Sequence, residues 1–486
     1  MDGNELIENR VYVDEFGHKH RLVKELSRGG QGAVFRTDQA DILVKLAIKQ
    51  GRTIPAAAGD DYMNIRLLPI DQKTNVTMPL VLLKEKSGYV MQFLMDMQSF
   101  SEAFGSTVDT SEELKAEIDN IYLKKIAEEG SDQVAGFLRT LISNGGVRRI
   151  IQAYLMAALT LSKLHATGLV YCDFSPNNVF VSSDRAFCHV WLIDADNLGF
   201  QEDTAQRIVY TPGIGAPELV SEEEGCSIYA DCYAFAASLF RQLTKQHHFE
   251  GTAYLDTDEF DDLDEKEMAK DCGYFPWLYD SDDDSNEPLD AGLSKLCLSA
   301  ELMGLFKRTF DREKGVSRKI WRPVMWEWMN ALAHSMDTLV RCPVCGMDYY
   351  ANNDSGDGCT WCGQVSQIMI IKSYYARDRK PDELIWEWYH EYNGQDVSIP
   401  MRIVHGLIAE DLDNESIFLT ISRHKDGLLL KKSIEAENIK CQFMNDLQKL
   451  ITSSSFITRN KNFHIYCDDE EYGLNIIIEG EIQDGN

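Results

Sequence analysis

The stretch Leu164 to Val181, LHATGLVYCDFSPNNVFV, joins a helix end, a turn at Gly168, a short strand, a polar loop and a second strand. Within the loop Asp173 and Asn178 stand five residues apart, with Pro176 stiffening the turn between them. The flanking β-branched and aromatic residues bury the strands and leave both polar side chains at one open edge. Upstream, Ile150, Ile151, Tyr154, Leu155, Ala158, Leu161 and Leu164 recur at spacings of three and four. That spacing predicts an amphipathic helix leading into the loop.

Further toward the N-terminus, residues 11 to 50 alternate as strands do, around the glycine-rich turn Leu26-Ser-Arg-Gly29-Gly30-Gln-Gly32. Glycines between two strands let backbone amides approach a phosphate with no Cβ in the way. The strand Asp41 to Ile48 carries Lys45, and Lys49 follows on the same face. Met78 to Met97 reads as two strands joined by a hairpin at Lys86-Ser87-Gly88.

Downstream, Val190 to Asp196 is an apolar strand ending in Asp194. Thr211-Pro-Gly-Ile-Gly-Ala216-Pro217-Glu218 follows, and then Tyr229 to Leu243, which is apolar nearly all round apart from Asp231. Such a segment reads as a buried helix, and its lone Asp must be hydrogen-bonded. Arg322 lies later, in WRPVMWEWMNAL.

In this order the motifs resemble a divergent bacterial eukaryotic-like Ser/Thr protein kinase, over about residues 15 to 335. The narrower likeness is to kinases that end in a zinc ribbon and accompany tellurite-resistance-type clusters. The resemblance implies an α+β chain, a bilobal protein-kinase-like fold followed by a zinc ribbon and a small mainly β C-terminal domain. The implied boundaries are 1–97 for the N-lobe, 98–338 for the C-lobe, 339–367 for the ribbon and 368–486 for the tail.

The implied activity is transfer of the ATP γ-phosphoryl group to Ser/Thr hydroxyls of a protein. Asp173 would orient the hydroxyl and accept its proton, while Asn178 and Asp194 would hold Mg²⁺. Gly29, Gly32 and Lys45 (or Lys49) would position phosphates. Val34 would lie over the base, Met91 would guard the back pocket, and the backbone of Gln92 and Leu94 would bond the adenine. Thr211 would contact the catalytic loop, Asp231 would cap its backbone, and Glu218 would pair with Arg322. Asp61 is the nearest acidic candidate for the lysine's usual helix partner.

Departures from the pattern carry physical consequences. Ser27 takes the first glycine position of the turn, Cys172 replaces an arginine, and Ser175 replaces a lysine beside the γ-phosphate. With Cys172 the loop cannot receive a phosphorylated segment through a charge-assisted pair. With Ser175 one cation is missing from the catalytic set. The implied partners are a protein substrate, a cognate metal-dependent phosphatase and a von Willebrand A-domain protein. The rival readings are a pseudokinase, an ATP-binding scaffold recruiting partner proteins, and a small-molecule phosphotransferase.

Cys342-Pro-Val-Cys345-Gly and Cys359-Thr-Trp-Cys362-Gly are two C-x-x-C-G knuckles. Two such turns supply the four thiolates of a closed structural Zn²⁺ site, against the alternative of redox thiols or disulfides. The formal charge of −30 repels nucleic acid and anionic lipid. Its densest run, Asp256 to Glu287, reads as a solvated loop or as a docking surface for a basic partner. No apolar run is long enough to span a membrane, and the N-terminus MDGNELIENR lacks a signal pattern, so a cytoplasmic protein is expected. From Ile368 onward, alternating segments predict a mainly β region with one helix near Ala436 to Leu450.

Overall fold

The structure, a computed structural model, describes the chain except for residues 1–9, 30–31, 57–60, 106–117, 119, 131, 290–292, 313–315, 352–357, 409–411, 413–415, 426, 445–449, 452–455, 459–461, 470–472 and 484–486. It is a mixed α+β chain.

The first seven strands are β1 (Val11–Val13), β2 (Lys19–Arg28), β3 (Gly32–Thr37), β4 (Ile42–Lys49), β5 (Arg52–Thr53), β6 (Val81–Leu82) and β7 (Gly88–Gln92). They form one antiparallel sheet in the order β1-β2-β3-β4-β7-β6, with β5 paired to β4. Strand β4 is central and is buried from Leu43 to Ala47, a run that is apolar except for Lys45. The register sets Lys45 opposite Val34 on one side and Tyr89 on the other. Directly paired residues share a face, so these three side chains point the same way. Gly32 and Gly88 are required by this packing: a Cβ would fall 2.4 Å from the Leu46 carbonyl oxygen and 2.3 Å from the Lys45 carbonyl oxygen respectively.

A largely helical part follows. The helix Val147–Ala166 is buried along most of its length and packs against Ile228–Thr244 and Met325–Thr338. Leu164–Val181 folds as its sequence predicts, with the helix ending at Ala166, a left-handed Gly168 (φ 77°), and strands Leu169–Val170 and Val179–Ser182 around the loop. The second of these strands lies between Val190–Leu192 and Met97–Ser99 in a three-stranded sheet. Residues 75–77, which precede β6 in the chain, pair with the strand Val190–Leu192. Leu192 donates its N–H to the Asn75 carbonyl and accepts from the Thr77 N–H, both at 2.9 Å.

The acidic run is more ordered than a solvated loop. It contains the helix Leu263–Asp271, and Asp271 Oδ2 accepts the Gly213 N–H at 3.0 Å. Its other end is anchored by Asn286, which is buried and donates to the Phe249 and Pro276 carbonyls.

Beyond Leu339 the chain forms a two-stranded ribbon, Leu339–Arg341 with Asp348–Tyr350. Six-stranded and four-stranded antiparallel sheets follow. The expected helix near Ala436 to Leu450 is absent from the described residues there. A short 3-10 turn at Ile434–Ala436 leads into the strand Ile439–Phe443, and residues 445–449 lie outside the described set. The physical reason is the alternation Ile439-Lys-Cys441, buried–exposed–buried, which suits a strand paired with Phe463–Asp469. These sheets are fastened to the helix Met325–Thr338 by Asp337, which is buried. Asp337 accepts from Arg402 at 2.5 Å and 2.6 Å and from the Trp386 indole N–H at 2.8 Å.

Candidate functional site

The loop between Val170 and Val179 is organised from below by Asp231. Its carboxylate accepts the backbone N–H of Tyr171 at 2.7 Å and of Cys172 at 2.9 Å, and it also bonds His165 Nε2 at 3.0 Å. Three bonds satisfy a side chain that is 1% exposed. They hold Cys172 in a left-handed conformation, φ 74°, which turns the chain so that Asp173 faces outward.

Asp173 is gripped from both sides. Thr211 Oγ1 donates to its Oδ1 at 3.0 Å, and Asn178 Nδ2 donates to its Oδ2 and its carbonyl oxygen, both at 3.0 Å. Burial raises the Asp173 carboxyl above the ordinary range, the Thr211 and Asn178 bonds oppose that, and nearby Asp194 and Asp231 add to the rise. A carboxylate with a raised pKa, fixed by two donors and reached from a shallow cleft, can take a proton from a hydroxyl. Ser175 is buried beneath this loop, and it contributes its carbonyl, which accepts the Asn178 N–H at 2.9 Å. Its role is to shape the turn, and it does not stand among the groups facing the cleft.

Asp194 follows the strand Val190–Leu192 and sits in a left-handed turn, φ 60°. The Ile193 N–H donates to the Asn178 carbonyl at 2.9 Å, so the two candidate metal ligands are coupled through the backbone. Because the Asn178 amide nitrogen is committed to Asp173, its Oδ1 is left as the free-facing donor. Asn178 Oδ1 and the Asp194 carboxylate are oxygen ligands of the kind that Mg²⁺ takes.

Lys45 reaches this turn from the first sheet. Its Nζ lies 2.5 Å from Asp194 Oδ1 and 2.7 Å from Asp196 Oδ2, and Tyr89 donates its hydroxyl to Asp196 Oδ1 at 2.7 Å. Burial alone would lower the lysine, but Asp196 and Asp194 outweigh it and raise the ammonium above its usual value. Burial also raises Asp196, against the pull of Lys45. The two lysines of β4 differ in position. Lys45 is buried in the cluster, and Lys49 is exposed at the strand end.

Asp196 and Tyr89 were missed by the sequence reading. The signals were the second Asp of Ile193-Asp-Ala-Asp196 and the cross-strand pairing of Tyr89 with Lys45. Asp61 opens the short helix Asp61–Arg66, and its side chain lies outside the described residues.

The other expected nucleotide contacts are mixed. Val34 and Met91 share a small apolar cluster with Leu43 and Tyr89 on the lysine-bearing face. Gln92 is exposed and ends β7, Leu94 is half-buried, and the Phe93 N–H between them donates to the Asp41 carbonyl at 2.8 Å. Gly29 donates its N–H to the Gly32 carbonyl at 2.8 Å, closing the turn, while Gly30 and Gln31 lie outside the described residues.

Glu218 and Arg322 form a bidentate pair at 2.7 Å and 2.8 Å. The guanidinium also covers the Tyr233 ring, 4.9 Å from its centroid.

The four knuckle sulfurs of Cys342, Cys345, Cys359 and Cys362 lie within 4.8 Å of one another, a cluster able to bind a zinc ion. Each knuckle closes through a glycine of positive φ, Gly346 (73°) and Gly363 (72°), whose N–H bonds the first cysteine's carbonyl. Trp361 donates its indole N–H to the Asp348 carbonyl at 2.9 Å, and Asp348 Oδ2 accepts the Arg148 N–H at 3.1 Å. The ribbon is thus bonded to the first turn of the long helix. Among the described residues, no helix is long and apolar enough to cross a membrane.

The chain matches no known protein-family model, and no curated protein matches it.

Proposed function

We propose that this chain is a Ser/Thr protein kinase of bilobal build. In this reading the seven-stranded sheet is the smaller lobe, the helical part is the larger lobe, and the four cysteines hold a structural zinc. The observation that carries the reading is the convergence of Lys45 from the sheet with Asp194, Asn178 and Asp173 from the loop region.

In the reaction, Lys45 would leave its carboxylate partners to pair with nucleotide phosphates, and β3 with its glycine turn would close over them. Asp173, held by Thr211 and Asn178, orients the incoming hydroxyl and takes its proton. Asn178 Oδ1 and Asp194 would hold Mg²⁺, which when bound neutralises charge on the phosphate oxygens. Placement and electrostatics do the rest, since phosphoryl transfer asks little covalent work of the protein. The Glu218–Arg322 pair braces the segment after Thr211, where a protein substrate would lie.

A pseudokinase is the second reading. It is favoured by the double carboxylate grip of Asp194 and Asp196 on Lys45, which a nucleotide must compete with. Incubation with γ-labelled ATP, Mg²⁺ and a mixed protein substrate decides between them. The kinase reading expects label on Ser/Thr in the wild type and at least a hundredfold less in Asp173→Ala. Nucleotide binding without any transfer would leave the scaffold reading standing.

A further inference from the structure

The strand Val179–Ser182 begins beside Asn178, and a cavity of about 410 Å³ lies at its other end. Four elements wall it: the helix Phe100–Phe104, the end of the helix Asp132–Ser143, the first turn of Val147–Ala166, and the hairpin carrying Ser183 and Arg185. The backbone is shaped to admit Arg149. Gly145 is left-handed, φ 99°, and a Cβ there would fall 2.8 Å from Arg149 Cδ.

Arg149 is 9% exposed, with its guanidinium 5.5 Å from the centroid of the Phe104 ring. It donates to the Asn144 carbonyl at 3.0 Å and the Ser182 carbonyl at 3.2 Å, and Arg185 donates to the Ser143 carbonyl. Each guanidinium has more N–H donors than these carbonyls use. Among the described residues neither arginine has a carboxylate partner, in a chain whose formal charge is −30. Burial and then the charge of Arg185 lower the Arg149 guanidinium from its ordinary value. Glu102 is the one acidic residue on the walls, and its Oε2 accepts the Ser99 N–H at 3.0 Å. The Phe104 carbonyl, which would repel an anion, is covered by Lys245 Nζ at 2.7 Å and Asn144 Nδ2 at 3.2 Å.

We propose that this cavity binds a small hydroxyl-bearing phosphate monoester, with Arg149 and Arg185 on the phosphate and Gln98, Thr140 and Ser183 beside the remainder of the ligand. Two guanidinium forks match a phosphate dianion in charge and in geometry. The volume lies within the range of about 300–1,000 Å³ that small-molecule sites occupy, so there is room beyond the phosphate itself. The walls beyond the arginines carry hydroxyls and amides, and only Ala103 and Phe104 are apolar, which favours a hydroxylated ligand over an apolar one. Fastening the end of the helix Asp132–Ser143, where cations are favoured, accounts for the carbonyl bonds of the arginines. It does not account for the open space they share. The cavity is separate from the Lys45 cleft, so binding here is independent of phosphoryl transfer.

The test is calorimetric titration of the full-length chain, in a buffer free of phosphate, with ribose phosphate, inorganic phosphate and ribose. Ribose phosphate is expected to bind at one site, inorganic phosphate more weakly, and ribose not at all. Arg185 is exposed, so Arg185→Gln should keep the wild-type melting curve while weakening ribose phosphate roughly tenfold or more. Arg149→Lys keeps the charge but loses the fork, and should also weaken it. Absence of ribose phosphate binding, or binding that Arg185→Gln leaves unchanged, overturns the proposal. Inorganic phosphate bound in preference to ribose phosphate overturns the ester as the ligand. Label transfer from ATP does not enter this readout, so failure of the kinase reading and failure of the cavity are told apart.

Discussion

Lys45 Nζ stands 2.7 Å from Asp196 Oδ2, so the sheet lysine is paired with an acid from the same turn as Asp194 and with no glutamate of the intervening helix. Helix Asp61–Arg66 is six residues long, DYMNIR, and contains no glutamate to offer. The partner expected from the kinase resemblance is thus supplied from across the cleft.

Both side chains of this pair are 6% exposed. Removing the lysine strands Asp194 and Asp196 beside each other, and breaking a buried pair costs about 3–5 kcal/mol. Lys45→Met is therefore expected to lower stability by about 3 kcal/mol in urea titrations. Adding Asp196→Asn to that variant should recover at least half, because the second buried charge goes with it. A loss below about 1 kcal/mol for Lys45→Met would show that the trio is solvated and the pair weak.

The Asp173 carboxyl should set the acid limb of the transfer rate, since a general base works only when ionised. Burial raises it above the ordinary carboxylate range, and the Thr211 hydroxyl is the first group holding it down. Thr211→Val removes that donor, so the limb should move to higher pH. A hydrogen bond to a charged group is worth about 1.5–3 kcal/mol, which corresponds to a shift of one to two pH units. Rates measured from pH 4 to 8 on both proteins check this. An unmoved limb would exclude Asp173 as the titrating base.

The loop, the turn at Asp194, the buried Asp231 and the Glu218–Arg322 pair were legible in the sequence because each is written as a short local motif with an apolar frame. Asp196 and Tyr89 were not, since their role exists only when β4, β7 and the turn after Ile193 meet. Gly32 was read as a phosphate-loop glycine. The fold adds a packing reason, because a side chain there would strike the Leu46 carbonyl. A helix was expected near Ala436 to Leu450, while the burial alternation that governs the segment around Ile439 is a strand's.

Zinc removal should be felt beyond the ribbon. Asp348 links the knuckles to the start of the helix Val147–Ala166 through the Arg148 N–H, and a Cβ at Gly146 would sit 2.6 Å from the same carboxylate. Elemental analysis is expected to give one zinc per chain. Cys359→Ser or a strong chelator should remove it and lower the main thermal transition, as a structural zinc site contributes roughly 10 kcal/mol in small modules. Loss of metal with an unchanged melting curve would mean that the ribbon folds independently of the helix.

Glu218 gives the chain a pH-dependent brace. Burial alone would raise its carboxyl, but Arg322 bonds it in a bidentate grip and the net effect is a pKa below the ordinary glutamate value. A depressed folded-state pKa contributes stability that is present above the unfolded value and lost as pH falls through the folded one. The brace should therefore be fully present at pH 7 and fade below about 4.5. Glu218→Gln leaves Arg322 buried without its counter-charge, with the Tyr229 carbonyl and the Tyr233 ring as partners, and is expected to cost about 3 kcal/mol at pH 7. Urea titrations of the two proteins should converge as the pH is lowered from 6 toward 3.5, because protonation of Glu218 does to the wild type what the substitution did to the variant. A gap that stays constant across that range would show that the cost comes from packing and owes nothing to the charge on Glu218.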